Sequence, residues 1–259
     1  MASKRQLEYI LKRSHYPAWA KQDDPATAAT PELELNRKMY IFLIADRRFG
    51  RTRPVDVVEV DRSFKIVSPG FIDTHHHLWQ TQLKGRHADH TVLDCMPSGN
   101  LSAYFFTPSD VFWGQLGGAL EALDSGTTTV VDHAHMNYSA EHSDHALVAT
   151  LASGIRPVFC YTPTPLVNCW QPRLSLAHNV VQPWHLSQIN RFANLLATHS
   201  RVSIGFGFDG YSSLDNEDAR SLFQEVRAAG VRCITSHYFR NPLFSQEKIA
   251  ITLMADAVF

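Results

Sequence analysis

The residues best suited to chemistry are the imidazoles of Asp73-Thr74-His75-His76-His77-Leu78, which directly follow the largely apolar run 64–72. On an extended backbone, residues i and i+2 point the same way. His75 and His77 can therefore reach one cation from the carboxyl end of a strand, while His76 points elsewhere. Pro69-Gly70, just ahead of them, suits a close and bent backbone approach. A third histidine, His237, follows the apolar segment 231–236. Three imidazoles and a water satisfy a catalytic zinc in ligand number, and a cation so held acidifies water toward neutrality and makes it a nucleophile. The competing reading of His237 is a strand-end side chain that bonds locally.

His133 and His135 repeat the His-x-His spacing after a second apolar segment. The same geometry admits a second cation there, but a place in a substrate pocket is the preferred role. Asp209, within Phe206-Gly207-Phe208-Asp209-Gly210, falls at another strand end and can face the same pocket, although Asp-Gly turns are common at such points. Trp79, beside the histidines, is a candidate pocket wall for a ring substrate, as are Trp113, Trp170 and Phe105-Phe106; aromatics so placed also serve as ordinary packing. His87-Ala88-Asp89-His90 has half of a binuclear hydrolase signature, with Gly85 where its first histidine belongs. No His-Glu-x-x-His, Gly-x-Ser-x-Gly or Walker-type loop occurs. The catalytic acid or base stays unassigned.

The elements that must position these residues follow a rhythm. Helical patterns over 109–123, 141–152, 183–198 and 216–229 alternate with apolar strands ending near His75, Asp132, Tyr161, Phe208 and Ser236. The first helix carries Ser109-Asp110 as cap candidates, and glycines 126, 154 and 230 close three of the four. Helix, glycine, strand and polar loop recurring at roughly 30–45 residues is the signature of βα units on a parallel sheet. The class is α/β. A barrel is preferred to a doubly wound sheet because residues of catalytic type follow several strands and no glycine-rich phosphate loop follows the first. Five βα units fall short of the eight that close a (β/α)8 TIM barrel. The expectation is therefore a partial barrel over 55–259, truncated after its fifth strand, that begins with a β-hairpin at 55–67. Residues 1–54 are a poorly defined leader, and 249–259 form an apolar, helix-like tract.

The 259 residues carry 24 Lys and Arg against 25 Asp and Glu, with 44% hydrophobic content. So even a balance, without a basic stripe, argues against nucleic acid or an anionic membrane as partner. Fourteen histidines are the compositional outlier. Four scattered cysteines without a Cys-x-x-Cys pair fit reduced thiols. With no signal-like opening, the expected compartment is the cytoplasm and the expected partner a small-molecule substrate; a homo-oligomer is compatible with the sequence.

The run from Val67 through Pro69, Gly70, Asp73, His75 and His77 to Gln80 resembles the strand-1 motif of the amidohydrolase superfamily. It is nearest the cytosine deaminase-like and chlorohydrolase-like branch. Gly126-Thr127-Thr128-Thr129-Val130-Val131-Asp132 resembles that branch's second strand, and the similarity runs from about residue 55 to His237. The resemblance implies a metal-bearing (β/α)8 barrel that hydrolyses C–N or C–Cl bonds of ring compounds and amides. It implies His75 and His77 as strand-1 ligands and His237 as the strand-5 ligand of a divalent ion, zinc first and iron second. A small β-sandwich accompanies the family's barrel, and only the 55–67 hairpin has a counterpart in it. The family's sixth-strand histidine and eighth-strand aspartate have no counterpart here, and Arg240 stands where the deaminase branch has a glutamate. Two functional expectations follow: a metal-dependent hydrolase, or a truncated, non-catalytic relative that binds metal without turnover.

Overall fold

The computed structural model describes residues 68–210 and 214–237. The 55–67 hairpin, the leader, Arg240 and the 249–259 tract lie outside these residues. Among the described residues, seven strands occur in chain order: β1 (Phe71–His76), β2 (Thr127–Asn137), β3 (Arg156–Pro163), β4 (Val167–Cys169), β5 (Ser175–Leu176), β6 (Ser203–Gly207) and β7 (Cys233–Thr235). Four longer helices intervene: α1 (Pro108–Asp124), α2 (Ala140–Ser153), α3 (Pro183–Leu196) and α4 (Asn216–Ala228). The main sheet has the order β1-β2-β3-β6-β7 with every pairing parallel. These are five consecutive βα-type units of a (β/α)8 barrel, as the rhythm predicts. The antiparallel pair β4–β5 branches from the loop after β3 and has no clear signal in the sequence.

Local chemistry explains where the helices begin and end. Thr107, not Ser109-Asp110, caps α1: its hydroxyl accepts from the Asp110 N–H, and the Asp110 carboxylate accepts from the Thr107 N–H at 2.7 Å. This is a reciprocal capping box with Pro108 at the first helical turn. Asp215 caps α4 by accepting from the N–H groups of Glu217 and Asp218. Gly154 ends α2 at φ +86°, a left-handed conformation that costs other residues.

The outer face of the sheet is packed against the helices. Phe159 and Tyr161 of β3, Phe206 of β6 and Phe208 just beyond it bury fully, against Ile189 and Phe192 of α3 and Phe223 of α4. Each aromatic of that size contributes roughly 1.5–3 kcal/mol on burial, so this layer fixes the helices and hence the strand ends. The chain after β1 makes short helical turns between Leu78 and Phe105 before α1. There α1 comes unusually close: a Cβ on Gly118 would lie 2.1 Å from the Leu78 carbonyl oxygen.

One strand is longer than its pattern suggests. The sequence ends the second strand at Asp132, whereas β2 continues to Asn137 and pairs with β3 as far as Pro163. The polar residues that interrupt the apolar run are accommodated by specific bonds, such as Asn137 Nδ2 donating to the carbonyls of Ala134 and Thr162, both at 2.8 Å. All four cysteines are free thiols, as expected, though only Cys160 is buried. Among the described residues, no helix is long and apolar enough to cross a membrane.

Candidate metal centre

His75 and His77 leave the carboxyl end of β1 on the same side, one within the strand and one just past it. His76 turns away and bonds the Asp73 carboxylate at 2.9 Å. His237 arrives just after β7, at the far edge of the sheet. The Nε2 atoms of His75 and His77 each lie 3.1 Å from the His237 Nε2. Ligand atoms on a tetrahedral zinc with Zn–N of about 2.0–2.1 Å are separated by roughly 3.3 Å, close to both of these distances. These three side chains form one of the two groups among the described residues whose donor atoms cluster closely enough for a cation.

The far nitrogen of each ring fixes what the near one can do. The His77 Nδ1–H donates to the backbone carbonyl of His133 at 2.8 Å. Burial, reinforced by the charge of neighbouring histidines, pushes the His77 pKa down to about 2. The ring is therefore neutral, and its Nε2 carries a bare lone pair. The His237 Nδ1–H donates to Asp209 Oδ2 at 2.9 Å. Burial alone would raise the Asp209 carboxyl, but hydrogen bonds and charge from His133 and His237 outweigh it and hold the group well below the usual carboxylate range. Asp209 is thus an anion that accepts from Nδ1, which in the neutral ring leaves Nε2 as the nitrogen available to a cation. A cation placed among the three Nε2 atoms would be coordinated by their lone pairs. The chemistry of this donor set fits a divalent metal, with carbonyl and carboxylate partners behind the ligands as is usual for histidine sites.

Asp209 has little capacity left for other work. Its Oδ1 accepts from the His237 backbone N–H at 2.8 Å and from Ser236 Oγ, and its Oδ2 also accepts from His133 Nε2 at 3.0 Å. His133, Asp209 and His237 make up the second cluster of potential donors, already joined by these hydrogen bonds. His133 is fully buried beneath the centre, whereas His135 is half-buried and stands outside both clusters. The His135 Nδ1–H donates to the His133 carbonyl, and burial lowers its pKa to about 4.

Trp79 is fully buried, edge-on to Phe106 and to His135 at a centroid distance of 5.2 Å. Phe105 and Trp170 stack at 4.9 Å on loops leaving β1 and β3, both well exposed. Trp113 lies away from them, on α1 beside Phe112. In the His87–His90 segment the two Nδ1 atoms lie 3.2 Å apart, in neither donor cluster. A supporting pair escapes sequence reasoning: the buried Asp132 accepts from the Leu78 N–H at 3.1 Å and from Gln115 Nε2 at 2.6 Å. It pins the turn that follows His77. A carboxylate directly after the β-branched run 127–131 was the available signal, since such a group is buried only with partners.

Fold and site together define a parallel βα-barrel protein with imidazoles gathered at its strand ends. The amidohydrolase family model matches residues 66–180, so this stretch of the chain is similar to that family. The 5-methylthioadenosine/S-adenosylhomocysteine deaminase of Acetivibrio thermocellus is 34% identical over 107 residues, covering 40% of this chain and 23% of that protein. Among solved structures, an adenosine deaminase from Xanthomonas campestris with bound zinc has a TM-score of 0.54 at 14% identity, over 70% of this chain and 38% of its own. A mutant atrazine chlorohydrolase from Arthrobacter aurescens, complexed with zinc and atraton, has a TM-score of 0.51 at 20% identity, over 68% of this chain and 41% of its own. The chain spans only about a quarter to a third of the length of the curated relatives it matches.

Proposed function

We propose that this chain carries the metal-holding half of a hydrolase that cleaves C–N or C–Cl bonds of small ring compounds. The observation that carries the reading is the convergence of the His75, His77 and His237 Nε2 atoms, with His237 3.1 Å from each of the other two and partners behind His77 and His237. His75, His77 and His237 hold the ion, which we take to be zinc, with iron as the alternative. When bound, such an ion supplies Lewis acidity that brings water within reach of ionisation near neutral pH. Asp209 orients His237 by accepting from its Nδ1, so that Nε2 faces the other two rings. Half-buried His135 is the side chain best placed to meet a substrate, and the exposed Phe105–Trp170 stack offers ring faces to an apolar ring. The relatives are named as deaminases of purine nucleosides and as a triazine chlorohydrolase, so aminopurines and chlorotriazines are the first substrates to try. Those names favour a hydrolytic role over the non-catalytic one.

The test is metal content first and turnover second. The full chain, purified with zinc, is expected to hold one equivalent by elemental analysis, and His77→Ala or His237→Ala to hold almost none while staying folded by circular dichroism. Retention of a full equivalent in both variants would sink the assignment. Release of ammonia from an aminopurine, or of chloride from a chlorotriazine, then reports the reaction.

A further inference from the structure

At the opposite end of the sheet, where the strands begin, lies a cavity of about 200 Å³. We propose that it is a second, non-catalytic binding site, for a small phosphate-class oxyanion held by Arg156, Arg201 and His199. Thr129 and Ser203 line it from the starts of β2 and β6, and Ser200 from the segment after α3. Its size is below the roughly 300–1,000 Å³ of sites for drug-sized molecules, so it suits an ion and not a substrate.

Each charged lining group is a donor with capacity to spare. Arg156 Nη1 donates to the Ser200 carbonyl at 3.0 Å, and Arg201 Nη2 to the Leu151 carbonyl at 2.9 Å. These bonds anchor the two guanidiniums but use one N–H of the five on each. Among the described residues the buried Arg201 Nε has no hydrogen-bond partner, so the protein satisfies this guanidinium only in part. Among the described residues, no carboxylate forms an ion pair with either arginine. Burial and the nearby charge of Arg156 both lower the Arg201 pKa, the mark of two cations sharing a site without a counter-ion. The His199 Nδ1 accepts from the backbone N–H groups of Arg201 and Val202, at 3.2 and 2.8 Å. Its Nε2 therefore bears a proton in either charge state and adds another donor. Planar guanidinium forks match a tetrahedral oxyanion.

The experiment is thermal melting of the full chain against inorganic phosphate, with chloride at matched ionic strength as control. A melting temperature that rises saturably with phosphate and not with chloride is the expected result. Arg156→Gln and Arg201→Gln should each weaken the apparent affinity about tenfold or more, with zinc content unchanged because the histidine centre is at the other end. If Arg201→Gln does not fold, the exposed Arg156 decides alone. A phosphate response equal to that of chloride, or a saturable response that survives the substitutions, overturns the proposal.

Discussion

The three histidine nitrogens that meet are defined by what stands behind two of them. Asp209 matters most because it accepts from the Nδ1 of His237 and from its backbone N–H as well. Asp209→Asn keeps the volume but removes the negative charge beside Nδ1. Loss of such a supporting partner costs about 10–100-fold in metal affinity. Competition against a chelating dye is therefore expected to show zinc binding weakened by that factor, with one equivalent restored at higher zinc. Unchanged affinity with a lowered melting temperature would reduce Asp209 to packing. In the sequence, His75 and His77 were legible from the i, i+2 rule alone. The partnership of Asp209 was not, because a carboxylate in an Asp-Gly turn has no periodicity to betray which distant ring it faces.

At the scale of elements, the start of α3 offers a test independent of the metal. The Gln182 N–H donates to the His185 Nδ1 at 2.9 Å, closing a capping box, and the opposite ring nitrogen faces the Asn137 carbonyl. His185 is fully buried, and burial lowers its pKa to about 4. The unfolded chain, with a pKa near 6.5, therefore binds the proton first as pH falls, so the stability His185 contributes is present above pH 6.5 and lost on acidification toward 4. One pH unit corresponds to about 1.4 kcal/mol, which makes the loss about 2 kcal/mol at pH 5. A protonated ring beside a helix N-terminus also opposes the helix dipole. His185→Gln retains an acceptor and a donor but cannot titrate; urea unfolding at pH 7.5 and 5 should show a smaller acid loss than the parent chain. The helix itself was legible, from Pro183 and the apolar spacing that follows. So were the five strands, because each stands between a glycine and a polar loop. The β4–β5 ribbon was not: two- and three-residue strands are too short for a period, and pairing alone makes them. The length of β2 was hidden for a different reason, since Asp132, His133 and Asn137 look like the end of a strand until their tertiary bonds are known.

At the scale of the whole molecule, the centre joins the two edges of the main sheet. His75 and His77 come from β1 and its end, His237 from the end of β7, and three strands separate them. Their rings nevertheless lie within 5.0 Å of one another, centroid to centroid. The sheet must curl to bring them there, and a shared cation would tie its two edges together. An ion that binds only this folded arrangement stabilises it by mass action, about 2.7 kcal/mol when free metal is a hundredfold above its dissociation constant. For a chain of this size that corresponds to a rise of roughly 5–10 °C in melting temperature. Scanning calorimetry of chelator-treated and zinc-reloaded protein should show a gap of that order. His77→Ala should melt at the same temperature with or without zinc, because one edge of the sheet has lost its hold on the ion. A gap that persists in His77→Ala would mean that zinc stabilises the chain from elsewhere, and that the curl is set by the packed aromatic layer outside the sheet.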